Sequence, residues 1–457
     1  MENQDLILEK MITSLLDEKK YPSLRDILVT MNPSDIAGVF LELEQDRIPL
    51  LFRLLPKELA AETFVEMEPE HQEILIRGFS DKELKEVVDE LYLDDAVDLV
   101  EEMPANVVRR ILSQADPDTR KSINELLQYP ENSAGSIMTT EYVGLQPQMT
   151  VGESILRIRR TGLDKETIYT CYVTQNRTLV GLVTVKDLLL AEDDDTPIEE
   201  LMETNVISVS TLTDQEEVAR MFAKYNFLAI PVVDTENRMI GIVTFDDAMD
   251  VMEEEATEDI EIMSGMSPSE KTYSRARVWD LFKQRIPWLL IMMVSASFTS
   301  MIITHFESAL AAQATLTAFI PMLMGTGGNS GSQSSVTIIR ALSLDELEFR
   351  DLPKVIWKEI RTAVCCGIVL SVACFLKIIL LENLVFGNEV PVLVAVVVSL
   401  TMALTVLVAK TVGCILPMCA KKLGLDPAVM ASPFISTIVD ALSLLVYFAI
   451  ASMLLPM

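Results

Sequence analysis

Histidine is almost missing from this 457-residue chain: only His71 and His305 occur, so a histidine-based metal centre has little material to draw on. Cysteine is scarce as well. Cys171 stands alone in the first part, and Cys365, Cys366, Cys374, Cys414 and Cys419 fall in the apolar second part. None has the spacing of a zinc site or a redox motif, and a reducing compartment suits them. A metal bound by this chain is therefore expected to be a hard, oxygen-liking ion. The N-terminus, Met1-Glu2-Asn3-Gln4-Asp5, lacks the basic start and apolar core of a secretory signal. No Walker-type loop or kinase signature occurs, which argues against ATP-driven pumping.

What the chain has in excess is negative charge, unevenly placed. Its 68 acidic residues face 37 basic ones, a net charge of −31. Residues 1–285 hold 58 of the acids and 28 of the bases, a balance of −30, whereas residues 286–457 are close to neutral with 10 and 9. Such a region repels nucleic acid and anionic headgroups and attracts cations; the plainer use of the charge is solubility. The length allows several domains of roughly 100–200 residues each.

Residues 1–130 read as short helices with a repeat. Segments start near Pro33, Asp46, Pro56, Pro69, Ser80, Asp94, Pro104 and Pro117, so that a helical pair recurs about every 24 residues, as in an α-solenoid. Pro, Ser or Asp at most starts suits a first helical turn. A docking superhelix and a plain helical domain both fit.

Residues 131–252 contain a duplication. Val180-Gly181-Leu182-Val183-Thr184-Val185-Lys186-Asp187 aligns with Ile240-Gly241-Ile242-Val243-Thr244-Phe245-Asp246-Asp247, and Ser136-Ile137-Met138-Thr139 matches Glu200-Leu201-Met202-Glu203. This resembles a tandem pair of CBS domains. The resemblance implies that Thr184, Asp187, Thr244 and Asp247 are candidates to hold the ribose of an adenine nucleotide such as ATP. The same pairs equally suit helix caps.

Residues 253–285 form a connector. Asp247 and Asp250 just before it and Glu253, Glu254, Glu255, Glu258, Asp259 and Glu261 within it crowd about four helical turns, a spacing of like charges that weakens an isolated helix. Lys271, Arg275, Arg277, Lys283 and Arg285 follow.

Residues 286–457 carry five expected membrane spans. No Asp, Glu, Lys or Arg lies between Arg285 and Glu307 or within 308–339, and roughly 20 apolar residues cross a bilayer. Basic residues precede the first span and occupy the second loop (Arg350, Lys354, Lys358, Arg361) and the fourth (Lys421, Lys422). The positive-inside rule then places the soluble domains in the cytosol and the C-terminus outside.

Asp440 is the one carboxylate deep within an expected span. A lone charge there costs about 3 kcal/mol or more, so it should face water or a partner. Ser432, Ser436, Asp440, Ser443 and Tyr447 recur at helical spacing, which puts them on one face. A cation is the partner this favours; an ion pair with Lys377 or Lys410 is the alternative. In the second span, Gly325-Thr326-Gly327-Gly328-Asn329-Ser330-Gly331-Ser332-Gln333 is expected to break the helix where it is shielded from lipid, with close small-residue packing as the competing use.

Across essentially its full length the chain resembles the MgtE family of magnesium channels. The matching segments are Pro321 through Arg340, Asp426-Pro427-Ala428, Ser432-Pro433 leading to Asp440, and Glu253-Glu254-Glu255-Ala256-Thr257-Glu258-Asp259. The resemblance implies no enzyme, but a homodimer in the inner membrane with its pore between paired second and fifth spans. Asp440 would bind the hydrated ion there, helped by Asn329 and the backbone near Ser436, with Ser432 in the same pore. The connector would act as a plug helix. The implied architecture is a multidomain membrane protein: an N-terminal α-helical superhelix (1–130), an α/β tandem CBS pair (131–252), the plug helix (253–285) and a five-helix transmembrane domain (286–457).

Mg²⁺ influx under negative feedback is then expected. Regulatory Mg²⁺ would bridge Asp94, Asp95 and Asp98 to CBS and plug carboxylates, namely Asp214, Glu216, Asp247, Asp250, Glu255, Glu258 and Asp259, with Asp426 in the same regulatory set. Some family members have Asn at the position of Ser432 and Asp at that of Asn226, departures that bear on pore selectivity and on one cytosolic site. A CBS-bearing anion channel and a membrane-anchored sensor are competing readings. The acidic span residue argues against the first, and the polar second span against the second.

Overall fold

A computed structural model describes residues 2–269, 273, 276–385, 387 and 390–455. The side chains of residues 2–9, 308, 309, 312, 384 and 432 lie outside the described set, as do Lys271 and Arg275. The chain divides into two units, residues 1–252 and 253–457.

The first unit opens with short helices from Glu2 to Leu126. Helices begin at Pro33, Ile48, Lys57, Pro69, Asp81, Leu93, Ala105 and Pro117, each within two residues of the start expected from the repeat. Pro33, Pro69 and Pro117 sit in first turns, where a missing N–H costs nothing. Ser80 and Glu83 close a capping box. Arg110 ties one repeat to the next: its guanidinium donates to the carbonyls of Ile76 and Phe79 and to Asp81 Oδ1. The helix Leu93–Glu102, here α1, carries Asp94, Asp95 and Asp98 in its first two turns.

Two three-stranded sheets follow. In the first, β1 (Tyr142–Leu145) runs parallel to β2 (Thr167–Gln175), which pairs antiparallel with β3 (Thr178–Thr184). In the second, β4 (Val209–Ser210), β5 (Ala229–Val233) and β6 (Met239–Thr244) repeat that order. Asn176 and Arg177, at φ 52° and 69°, supply the left-handed pair that a tight hairpin between β2 and β3 requires. The aligned segments of the duplication meet each other crosswise. A Cβ on Gly241 would strike the Thr139 carbonyl at 2.5 Å, and one on Gly181 the Met202 sulfur at 2.6 Å. The sequence repeat is thus a contact in space. One continuous apolar core runs from Ile12 through Ile123 and Leu126 to Val218, Phe222, Val243 and Val251, so the helical repeat and the second sheet bury their apolar faces on each other.

The connector helix α2 (Phe245–Met263) crosses the boundary between the units. Five long helices follow: α3 (Val278–His305), α4 (Ile320–Ser343), α5 (Leu352–Lys377), α6 (Val392–Lys422) and α7 (Ser432–Leu454). Among the described residues four helical stretches are long and apolar enough to cross a bilayer, those containing α3, α5, α6 and α7. At 24 residues α4 has the length, but its glycines, serines and Asn329 remove the apolarity.

The expected break in that helix does not occur: α4 is continuous. Its glycines serve close packing instead. A Cβ on Gly327 would lie 2.7 Å from Thr405 and 2.8 Å from Ser443 Oγ, and one on Gly331 2.8 Å from Ile435. From the facing helix, a Cβ on Gly413 would collide with the Gly331 carbonyl oxygen. Inside a bilayer, where helices gain little from hydrophobic burial against one another, backbone approach of this kind is a main source of cohesion.

Candidate functional site

On α4 the residues left exposed are Pro321, Gly325, Asn329, Gln333, Val336, Thr337 and Arg340. They recur every three or four positions, so they form one stripe, polar and uncharged from Gly325 to Gln333. Beside it runs α7. Ser436 packs on Gly328, next to Asn329, and Asp440 stands one turn further along α7, half-buried. Among the described residues Asp440 makes no ion pair and no hydrogen bond.

The two lysines proposed as alternative partners are engaged elsewhere. Lys377 Nζ pairs with Glu382 at 2.5 Å, and Lys410 Nζ donates to Ser334 Oγ at 3.3 Å. The expected stripe on α7 divides in two. Ser443 and Tyr447 are buried, with the Tyr447 hydroxyl donating to the Leu316 carbonyl at 3.0 Å, so they anchor the bundle. Ser436 and Asp440 remain partly open. The side chain of Ser432 lies outside the described residues.

The end of the connector reaches these helices. Ile262 and Met263 pack on Ile339 of α4 and on Ala428 and Ala431 just before α7. Gly265, at φ +72°, has Met292 and Pro433 against it, 2.8 and 3.0 Å from where a Cβ would stand. Glu261 accepts from Gln284 Nε2 on α3 at 2.8 Å and from the Ser269 amide at 2.9 Å.

A second acidic locus lies within residues 1–252. Burial and the adjacent Asp95 raise the Asp94 carboxyl, and burial together with Asp94 raises Asp247. Burial, then the charges of Asp247, Asp98 and Asp246, push Asp95 up to about 7. Glu166 rises to about 9 through burial and then through Asp94, Asp95, Asp247 and Asp246, and its Oε2 is buried with no hydrogen-bond partner. Glu141 accepts from the Leu93 amide at 3.1 Å, capping α1. The fold thus brings Asp94, Asp95 and Asp247 near one another, and with them Glu141, Glu166 and Asp246. Among the described residues, no three acidic, histidine or cysteine side chains converge tightly enough to enclose a bare ion.

Other expected regulatory residues lie elsewhere. Asp214 caps the helix Gln215–Tyr225 through the Glu216 amide at 2.9 Å, and Glu216 pairs with Arg220. Asn226 ends that helix at φ 54°, a left-handed position that suits asparagine. Asp426 accepts from the Ala428 amide at 2.8 Å. Glu258 is exposed on α2, and Asp250, Glu255 and Asp259 share that helix.

The Thr–Asp pairs of the duplication form caps. Thr184 Oγ1 donates to Asp187 Oδ2 at 2.5 Å and accepts from the Asp187 amide at 3.2 Å. Thr244 Oγ1 donates to Asp247 Oδ2 at 2.6 Å. Thr184 also lines an open cleft of about 480 Å³ with Tyr169, Thr170, Lys186, Leu189 and Leu228.

Comparison with known proteins places these features. A family model described as a divalent cation transporter matches residues 320–450, one described as the MgtE intracellular N domain matches 31–132, and CBS domains match 134–194 and 198–254. The magnesium transporter MgtE of Thermus thermophilus is 38% identical over 455 residues, covering 98% of this chain and 99% of its own length. That of Bacillus subtilis is 33% identical over 453 residues, covering 99% and 98%. A crystal structure of the cytosolic domain of the Mg²⁺ channel MgtE in complex with ATP covers 53% of this chain and 99% of its own, with 38% identity and a TM-score of 0.51. The soluble part of a magnesium transporter covers 55% and 99%, with 30% identity and a TM-score of 0.52. The chain belongs to the MgtE family.

Proposed function

We propose that this protein is a magnesium channel that admits Mg²⁺ and closes as cytosolic Mg²⁺ rises. The observation that carries the reading is the half-buried, unpaired Asp440 beside the exposed uncharged stripe of α4. A carboxylate at membrane depth needs a wet path or a counter-charge, and a polar stripe exposed on a span needs water or a second protein surface. A homodimer in the inner membrane meets both needs, with α3 to α7 as five spans, the N-terminal domains cytosolic and the C-terminus outside. Two copies of Asp440 would then face one axis.

Mg²⁺ sheds its waters reluctantly, so the pore acts on the hydrated ion. Paired Asp440 carboxylates attract it. Asn329, and Ser436 with its backbone, hydrogen-bond its waters, with Ser432 at the entrance. Selectivity then follows from ring size and the placement of these donors and acceptors.

Closure uses the acidic locus. Like charges about 4 Å apart at an effective dielectric near 20 repel by about 4 kcal/mol, which opposes docking of α1 on the CBS pair. The raised carboxyls and the unpartnered Glu166 oxygen fit a group that supplies positive charge. Regulatory Mg²⁺, bound with its own waters rather than enclosed bare, would be held by Asp94, Asp95, Asp98 and Asp247, joined by Glu166, and would supply the charge that lets these carboxylates stay ionised side by side. Asp214, Glu216, Asp250, Glu255, Glu258, Asp259 and Asp426 form the rest of the proposed regulatory set. The packing of Ile262 and Met263 on the inner ends of α4 and α7 supports α2 as the plug. The proposed domains are 1–130, 131–252, 253–285 and 286–457. ATP, bound by the relative's cytosolic domain, is proposed as a regulator at the Thr184 cleft.

The test is growth of a magnesium-transport-deficient strain in low Mg²⁺. The wild-type chain should restore growth and Asp440→Ala, expressed to the same level in the membrane, should not. Full rescue by Asp440→Ala overturns the assignment.

A further inference from the structure

Behind α4, away from its exposed stripe, a buried ammonium and a carboxylate share a single hydroxyl. Lys410 on α6 is 6% exposed and its Nζ donates to Ser334 Oγ at 3.3 Å. Ser334, 2% exposed, donates in turn to Glu359 Oε2 on α5 at 2.6 Å. Among the described residues neither Lys410 nor Glu359 makes a direct salt bridge, so the hydroxyl is interposed between the charges. A serine has one proton to give and lone pairs to receive, and both are used here, each in a charge-assisted bond. Ser334 follows Asn329 by five positions, which places them about 140° apart around the helix.

Ile320 and Leu323 pack one end of the buried face of α4 and Ile338, Ile339 and Leu342 the other, but its middle is smooth. Gly327, Gly328 and Gly331 bring the backbone close to α6 and α7, but they offer no side chains to fix how the helix is turned. Ser335 adds one neutral bond, to the Met430 carbonyl at 2.8 Å. Turning α4 by one residue would move Ser334 out from between Lys410 and Glu359 and leave a buried ammonium without a partner, a costly state in a low-dielectric interior. We infer that Glu359, Ser334 and Lys410 form a positioning clamp that sets the rotation of α4, so that Asn329 and Gln333 face the conduction path. The inference rests on the proposed channel for its functional consequence, whereas the rotation itself can be read without transport.

The test uses the full-length protein in proteoliposomes. Gln333→Cys and, separately, Ser330→Cys are labelled with a water-soluble thiosulfonate, and labelling is read peptide by peptide to separate the native cysteines. In the parent, position 333 should react at least tenfold faster than the buried position 330. Ser334→Thr, which keeps the hydroxyl, should preserve that ratio. Ser334→Ala and Glu359→Gln should each reduce it severalfold, and the Mg²⁺:Ca²⁺ flux ratio of the same variants without added cysteines should fall with it. A fall in folded yield alone would leave both ratios unchanged. Should Ser334→Ala fail to fold, Glu359→Gln decides. Unchanged ratios in the folded variants overturn the clamp. Absence of Mg²⁺ flux in the unsubstituted protein instead overturns the channel, and the labelling ratio still tests the clamp by itself.

Discussion

Ser436 lies against the bare Cα of Gly328, its hydroxyl 3.2 Å from where a Cβ on that glycine would stand. This contact sets how near α7 comes to α4, and with it the position of Asp440 relative to Asn329. The same economy of side chains operates at Gly413 and Gly331.

Gly413→Ala should therefore be severely disruptive, since the new methyl meets a backbone oxygen that cannot swing aside. Overpacking of this kind costs about 1–3 kcal/mol and sometimes more. Thermal unfolding in detergent should show a clear loss for Gly413→Ala and none for Gly325→Ala, where nothing lies within 4 Å. Equal stability of the two would contradict the packing account.

Acidification should tighten the docking of α1 when no divalent cation is present. Asp94, Asp95, Asp247 and Glu166 are all raised in the folded state, so the folded form binds more protons than the unfolded one at intermediate pH. Stability is then greatest below the unfolded carboxyl values and is lost as pH rises through the folded ones, about 7 for Asp95 and about 9 for Glu166. Hydrogen exchange of α1 amides in chelator should quicken from pH 5 to pH 9, once corrected for intrinsic rates. Millimolar Mg²⁺ should flatten that dependence, and a flat profile without it would count against the cluster.

Deleting residues 1–130 should leave a channel that still conducts but closes less readily as Mg²⁺ rises. Glu141→Gln should act in the same direction and more weakly, because it loosens the cap on the Leu93 amide while leaving the domain present. Flux at graded internal Mg²⁺ reads both, and unaltered closure in the deletion would remove the N-terminal domain from the gate.

Nucleotide binding is checked by equilibrium dialysis of ATP against the whole protein. Binding at the Thr184 cleft should weaken severalfold in Lys186→Ala, which lines the cleft and leaves the Thr184–Asp187 cap in place. Retention of full affinity would move the site elsewhere.

Much of this is legible in the sequence because it is local. Pro33, Pro69 and Pro117 mark helix starts by their chemistry, and the repeated Gly-x-x-Thr-x-x-Asp segments announce both a duplication and its caps. Asp440 is conspicuous as a charge in an apolar run. Glu141, Glu166 and Asp246 are invisible as partners of α1, because only the tertiary fold carries them to Asp94. Glycine density in α4 is ambiguous by composition alone: the same residues permit unwinding or close approach, and only the neighbours Thr405, Ile435 and Ser443 decide. Ser443 and Tyr447 share spacing with Asp440, yet helical period does not tell a buried face from a wet one.

The proposed channel carries Mg²⁺ past Asp440 and is closed by the same ion from the side that bears the soluble domains. Recording single channels from purified protein in planar bilayers addresses it directly, with Mg²⁺ as the permeant ion and its concentration stepped on the side bearing the soluble domains. Unitary currents are expected whose open probability falls as that Mg²⁺ rises, and no such currents from Asp440→Asn. Currents that persist in Asp440→Asn, or an open probability indifferent to Mg²⁺ on that side, would contradict it.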